Sequence, residues 1–364
     1  MIGDADQVVD SAQGRPRAGL QGHIEDTARM VTIVRLLIFL ALLSCPATLA
    51  AAPATLKMSY YTSDRSSVYQ CFVSPFIEAI NKAGAGVIEI SVLFSGGSAI
   101  PEQPKLVRDG TADLAVIIPG YSPQEFPDTL VLQLPGLYRD EHEASIIYAR
   151  LAGAGALRDY QPFVFVGGYV SPGEDIHSRK PLTGLGDLKT QSIRVNNLVE
   201  ADVLQMLGAT PVLLPINRTM ENLNDGKLDG VTVPDYMVFE FGFGRLTAHH
   251  YLAGLGGAAL AIVMNKAKFD SLSPAARALV KKYGGEWLAA QTSACVAAKG
   301  REVLAGLKAD ARRKVTEPSP ADLATLHKVY ASVVDAWAAE SPHNRELLAL
   351  TNAELAKLRK ETPR

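Results

Sequence analysis

The sequence predicts an α/β protein of two domains, and three observations carry that expectation. The chain has 364 residues, enough for two sizeable cores. Residues 56–118 read as strand, helix, strand, helix, strand. Residues 185–234 repeat the same order, and such alternation builds partly parallel sheets. The expected divisions are a leader over 1–52, a first domain over 53–150, a second over 151–270, and helices over 271–364 that span and complete both.

Leu56 to Tyr61 alternates as a first strand does. Val68, Phe72, Phe76 and Ile80 share one stripe of a helix running to Ala83. Val87 to Val92 is the next strand, a helix closes over Leu106 to Gly110, and Ala112 to Ile118 is apolar enough to be a central strand. A helix follows from Glu141 to Leu157, then a buried strand, Phe163 to Tyr169, assigned to the second domain. Pro172 to Asp175 turns the chain.

Ser192 to Val195 alternates so that Ile193 and Val195 share one face and Arg194 takes the other. The helix Leu198 to Leu207 stops at Gly208, suited to a left-handed cap. Thr219 to Leu228 is a further helix, leading into the strand Asp229 to Val233. Ala258 to Asn265 is another buried strand. Ser273-Pro274 starts a helical run to about Lys308, broken at Gly284-Gly285. Glu317 to Ala339 adds a helix, and a polar C-terminal helix is expected to pack loosely.

The composition is ordinary for a globular chain, with net charge -2, 20% charged and 48% hydrophobic residues. There is no basic excess to point to nucleic acid and no acidic tail. Residues 30–52 have the layout of a secretory signal peptide: Met30, Arg35, the apolar run Leu36 to Leu43, and small residues from Ala47 to Ala52 for cleavage after Ala50 or Ala52. Translation is expected to begin at Met30. Leu42-Leu43-Ser44-Cys45 is similar to a lipoprotein box, so anchoring through Cys45 is the lesser alternative to plain export. Cys71 and Cys295 then remain, either as a disulfide or as two buried thiols. No spacing suits a metal, since His249 and His250 point to opposite faces of a strand.

Arg194 is the chemically pointed residue. A guanidinium on a short apolar strand either pairs with a structural carboxylate or offers its planar fork to a ligand's. Asp187-Leu188-Lys189, Ile193-Arg194-Val195 and Gly226-Lys227-Leu228-Asp229-Gly230, in that order, resemble the central region of the DctP-type solute-binding proteins of TRAP transporters. Arg108 to Leu114 and Leu134-Pro135-Gly136 extend the resemblance to about residues 55–340. It implies a periplasmic binding protein fold, two α/β domains joined by hinge strands and a long spanning helix. It also implies a periplasmic receptor, acting as a monomer, that closes over a small organic acid and delivers it to TRAP membrane subunits. In that family the arginine at the position of Arg194 forks onto the substrate carboxylate, and no cofactor or catalytic residue is called for.

Two departures bear on the ligand. Glu174 falls where relatives carry a second arginine, and Val233 where they often carry asparagine. If Glu174 faces the cleft, the solute could carry a cationic or hydrogen-bond-donating group beside its carboxylate; a solvated turn residue is the plain alternative. Tyr169 and Ile216 are further candidates for the cleft wall. Tyr60, Tyr61, Ser98 and Tyr121 follow first-domain strands, where ligands of open α/β sheets bind, and Arg65 is a candidate second cation. The alternatives are a binding protein of the ATP-driven type, a sensor-docking protein, or an enzyme. For the last, the chain lacks a G-x-S-x-G elbow, an H-E-x-x-H pair and a phosphate loop, Gly254 to Gly257 reading as a plain loop.

Overall fold

Alternating strands and helices resolve into two sheets in the computed structural model, which describes Met30 and residues 52–94 and 100–362. The signal-peptide reading, Cys45 and Ser98 lie outside those residues. From Ala52 onward the described chain packs as one compact unit.

The chain enters through strand β1 (Ala54–Tyr60), helix α1 (Ser74–Ala83) and β2 (Ile88–Phe94). Helix α2 (Gln103–Arg108), β3 (Leu114–Ile117), helix α3 (Glu141–Gly153) and β4 (Phe163–Val170) come next. β1 runs parallel to β2 and β3, and the sheet order is β2-β1-β3-β10-β4, where β10 (Ala259–Asn265) is antiparallel to both neighbours. The stretch Phe163 to Tyr169 therefore lies in the first sheet, not in the second domain where chain order placed it. Buried apolar runs such as Ala259 to Met264 satisfy a central strand equally well in either sheet, so sequence could not decide.

Pleating divides the first sheet's core. Leu114 and Val116 face α1, whose Phe76 and Ile80 are fully buried, while Ala115 and Ile117 face the side covered by Ile147 and Leu151 of α3. Each of the larger of these side chains, Leu, Ile, Val or Phe, contributes about 1.5–3 kcal/mol on burial. The expected stripe Val68, Phe72, Phe76, Ile80 is buried as predicted, but its first part is a wider π-type turn over Tyr69–Val73.

β5 (Asp175–Ser178) opens the second sheet, followed by β6 (Ser192–Val195), helix α4 (Leu198–Met206), β7 (Thr210–Leu213), helix α5 (Ile216–Asn224) and β8 (Gly230–Val233). β9 (His249–Tyr251) and β11 (Lys314–Thr316) complete the order β11-β9-β5-β8-β6-β7. Gly208 ends α4 at φ 89°, as its position required. Two segments cross between the sheets and hydrogen-bond to each other. Glu174 N–H donates to Gly256 O at 2.7 Å, Leu255 N–H to Glu174 O at 2.9 Å, and Ser171 N–H to Ala258 O at 2.8 Å. The packing there explains the glycine loop: a Cβ on Gly256, at φ +104°, would lie 2.4 Å from Gln133 O, and one on Gly257 2.2 Å from Ser171 O.

Helices α6 (Lys266–Ser271), α7 (Pro274–Tyr283) and α8 (Gly285–Ala309) succeed β10, and α8 reaches from β4 in the first sheet to β11 in the second. The break before α8 is structural, since a Cβ on Gly284 would meet Val166 O at 2.1 Å. Of the two states left open for the cysteines, the structure has the disulfide: Cys71 and Cys295 are bonded with Cα atoms 5.5 Å apart, tying α8 to the turn before α1. Closing a loop of 224 residues is worth about 5 kcal/mol at most in chain entropy.

The C-terminal pair α9 (Pro320–Ala339) and α10 (Pro342–Glu361) corrects an expectation. α10 is not loosely packed. Leu347, Thr351, Leu355 and Leu358 are buried, and Arg359 Nη2 meets Glu143 Oε2 of α3 at 2.7 Å. Its apolar residues recur every three or four positions among charges, a pattern that describes an amphipathic helix on a core as well as a free one. No helix among the described residues is long and apolar enough to cross a membrane, and none of their His, Cys, Asp and Glu side chains cluster as metal ligands.

Candidate functional site

Strand β6 is short, and its pleat sends Ile193 and Val195 into the core against Leu188 and Val203, which turns Arg194 the other way. Arg194 is 1% exposed. Its Nε donates to Leu214 O at 2.8 Å, Nη1 to Thr232 O at 3.0 Å and Nη2 to the Tyr121 hydroxyl at 2.7 Å. None of the ion pairs among the described residues involves it. Three of a guanidinium's five N–H groups are thus spent on neutral acceptors, leaving one on each terminal nitrogen.

Those groups border a small cavity of about 40 Å³ between the sheets. Arg194, Ile216 and Val233 line it from the second sheet's side, and Tyr61, Tyr121 and Tyr169 from the first's. Glu174 lines it from the crossing segment. Among the described residues, the structure brings the candidate wall residues together except Tyr60, whose hydroxyl instead bonds Ser66 Oγ at 2.6 Å, and Arg65, which is exposed. Ile216, first residue of α5, donates its N–H to the Tyr121 hydroxyl at 3.2 Å. That oxygen already accepts from Arg194, so the phenol's own proton is free to be donated. Burial raises the Tyr121 pKa, against the pull of Arg194, so the proton stays on at neutral pH.

Glu174 is not a solvated turn residue: it is 2% exposed, because the hydrogen-bonded crossing segments hold it between the lobes. Asn196 Nδ2 donates to its Oε1 at 3.1 Å. Thr232 Oγ1 lies close enough to favour the charged form but gives its proton to Glu200 Oε2 at 2.7 Å, so Glu174 Oε2 is left without a donor in hydrogen-bonding geometry. Burial pushes the Glu174 pKa well above the usual carboxylate range; Glu200 adds to the rise and Arg194 opposes it.

Glu200 is a residue sequence reasoning missed. It sits in the first turn of α4 as the partner of N-cap Asn197: its N–H donates to Asn197 Oδ1 at 2.9 Å, and its carboxylate accepts from Asn197 Nδ2 at 2.7 Å and Asn196 N–H at 3.1 Å. The spacing Asn197-x-x-Glu200 is a capping-box pattern and could have been read. Burial raises the Glu200 pKa too, against donors from Thr232 and Asn196. With one donor against several, Glu174 is the group that holds a proton. Tyr236, Met237, Glu240 and Phe241 also line the cavity and were not singled out. They come after Pro234 in short turns that carry no periodicity to read.

On the same face of the sheet, toward its other edge, His177 and His250 are cross-strand partners in the β5–β9 ladder, His177 standing opposite Val231. Arg313 Nη1 approaches His250 Nε2 at 3.4 Å, His250 Nδ1 lies 2.8 Å from His177 Nδ1, and His177 Nε2 lies 3.0 Å from Val233 O. Since arginine can only donate and the carbonyl only accept, the proton order is fixed: His250 carries its proton on Nδ1 and His177 on Nε2. His250 is thus matched with His177 rather than with its neighbour His249, and both rings are neutral.

The sequence profile described as bacterial extracellular solute-binding protein, family 7 (DctP) matches residues 58–341. The chain belongs to that family. It is a TRAP-type solute-binding protein, and its relatives agree. The 2,3-diketo-L-gulonate-binding periplasmic protein of Escherichia coli is 26% identical over 251 residues, covering 65% of this chain and 74% of that one. An uncharacterised Haemophilus influenzae protein is 26% identical over 246 residues, with 65% and 74% covered. Among solved structures, a marine metagenome TRAP solute-binding protein in complex with 3-hydroxybenzoate superposes with a TM-score of 0.79 at 22% identity, covering 84% of this chain and 99% of that one. A Rhodoferax ferrireducens TRAP solute-binding protein in complex with copurified benzoate gives 0.76 at 24%, with the same coverage. These likenesses establish the fold, a solute-binding protein's two α/β lobes with a long helix bridging them.

Proposed function

We propose that this solute-binding protein receives a small organic acid, carboxylate first, on Arg194, and passes it to TRAP membrane subunits from the periplasm. One observation carries the reading. A buried guanidinium with no carboxylate partner is costly, and a ligand carboxylate in the adjoining cavity removes that cost by taking the two remaining N–H groups. The Tyr121 hydroxyl supplies a third donor to the same anion. Tyr61, Tyr169, Ile216 and Val233 form dry walls that favour a planar apolar body, in keeping with the benzoate and 3-hydroxybenzoate named for the fold's neighbours.

The two lobes, divided at the crossing segments 171–175 and 253–258, close as bodies about them, and the protein acts as a monomer released by cleavage of its leader. Its task is binding, with no bond made or broken. Titration calorimetry with benzoate, mandelate and 3-hydroxybenzoate tests the anchor. Arg194→Ala is expected to weaken whichever acid binds by about 3–5 kcal/mol, the cost of leaving a buried carboxylate unpaired. Arg194→Lys should recover only part of it, since a point charge cannot fork. Unchanged affinity in Arg194→Ala would end the reading.

A further inference from the structure

Glu174 is the feature that a plain-acid receptor leaves unexplained. Arg194 is the only cation among the described residues lining the cavity, while Glu174 and Glu240 both line it and Glu200 stands directly behind, bonded to Asn196. Glu240 has one oxygen fixed by Ser67 N–H at 2.9 Å and the other without a hydrogen-bond partner. The acidic groups thus outnumber the single guanidinium, and a solute that brings only negative charge deepens the imbalance. It would have to keep Glu174 protonated, with Oε2 still unmatched. The largely apolar remainder of the wall includes Tyr61, Tyr169 and Tyr236, and aromatic rings attract cations over their faces.

We propose that the solute has two heads, a carboxylate for Arg194 and a protonated amine for the free oxygen of Glu174. The substrate class is then an amino acid or another amine-bearing acid with an apolar or aromatic body, rather than a simple aromatic acid. An ammonium beside Glu174 lets the buried carboxyl ionise, completes the hydrogen bonding of Oε2, and sits among tyrosine faces that stabilise it. Glu174 is the specificity-determining residue in this arrangement, and the crossing segments hold it in place through the Glu174–Gly256 and Leu255–Glu174 backbone bonds. The inference rests on reading Arg194 as the carboxylate anchor.

The experiment compares matched solutes on the purified protein by calorimetry and thermal shift: the common L-amino acids and 4-(aminomethyl)benzoate, each against the same acid without its amine, such as L-phenylalanine against 3-phenylpropanoate. In at least one pair the amine-bearing member should bind about 10- to 100-fold tighter, the range for a hydrogen bond to a charged group. Glu174→Gln, which keeps the side chain's shape, should erase that preference and leave the amine-free acid bound as well or better. If amine-free acids bind equally or more tightly across the wild-type pairs, the two-headed solute is wrong and the Arg194 anchor stands. If neither kind binds, or the amine alone binds as phenethylamine, the anchor itself is wrong and both ideas fall. The wild-type comparison needs no variant, so a Glu174→Gln protein that fails to fold does not shield the proposal.

Discussion

Arg194 and Arg313 stand toward opposite edges of the second sheet and look alike at first. Each donates to two backbone carbonyls, Arg194 to Leu214 and Thr232, Arg313 to Thr247 and Gly244. Each lies over an aromatic ring, with Cζ 5.9 Å from the centre of Tyr121 and 4.9 Å from that of Phe239 respectively. They part at the carboxylate. Arg313 Nε reaches Asp310 Oδ2 at 3.2 Å, whereas Arg194, the more buried of the two, has only neutral acceptors and an open cavity. A structural arginine closes its charge within the fold. A receiving arginine is aimed by the fold and left for something else to close.

Exchanging their losses is the strongest way to break that comparison. Arg194→Ala should abolish most solute affinity while the ligand-free melting temperature barely falls, because an uncompensated buried cation is removed along with its bonds. Arg313→Ala should do the reverse. It leaves two carbonyls without their donor and costs about 2–3 kcal/mol of stability at unchanged Kd. Asp310 keeps Arg312 at 2.8 Å, so the loss falls on the carbonyls, on His250 Nε2 and on the packing over Phe239. Denaturant melts and calorimetry on both variants decide it; an Arg313→Ala protein of normal stability and lost affinity would show that the two arginines had been assigned the wrong way round.

The features legible in the sequence divide in the same way, into those closed locally and those closed from afar. The pleat that points Arg194 away from Ile193 and Val195, the α4 stop at Gly208 and the central placing of Leu114 to Ile117 all come from local periodicity, which depends on nothing distant. The burial of Glu174 does not. It arises because residues 171–175 pair with a segment some eighty positions later, so a turn that local sequence left open between solvent and cleft is closed over by Gly256. Glu240 faces the cavity from a stretch with no period, and β4 joined the first sheet because β10 crosses back to it. The His177–His250 pair is likewise a register fact, invisible while His250 is considered only beside His249.

That pair sharpens the comparison through pH, because the charge of Arg313 helps to keep both rings neutral. Burial pushes His177 down to about 4 and His250 to about 3, with Arg313 adding to both. In the unfolded chain a histidine titrates near 6.5, so below that pH the unfolded state binds the protons that the folded state refuses. Stability is complete above pH 6.5 and falls toward pH 4, by about 1.4 kcal/mol per pH unit for each ring. Buried Glu174, Glu200 and Asp175 act oppositely, since their raised pKa values relieve strain as pH falls. The measurement is therefore a difference: melting temperature from pH 7 to 5 in the wild type against His177→Gln/His250→Asn. The variant should lose less on acidification, and equal slopes would remove the histidines from the account.

The smallest effect is expected at Tyr121, which serves Arg194 as Phe239 serves Arg313 but carries a hydroxyl as well. Tyr121 O accepts from both Arg194 Nη2 and Ile216 N–H, and with its acceptor sites taken its own proton can only go outward. Tyr121→Phe keeps the ring under the guanidinium and removes one donor to the solute, at a cost of about 1–2 kcal/mol in affinity. It also frees a third N–H on Arg194, which the solute carboxylate can partly use, so the loss should fall short of a full charged hydrogen bond. If the tyrosine only props up the arginine, as an aromatic platform does, the phenylalanine variant binds as tightly as the wild type. A loss near tenfold, with the melting temperature of the empty protein lowered only slightly, would instead make the hydroxyl part of the anion's reception, which no equivalent group near Arg313 could imitate.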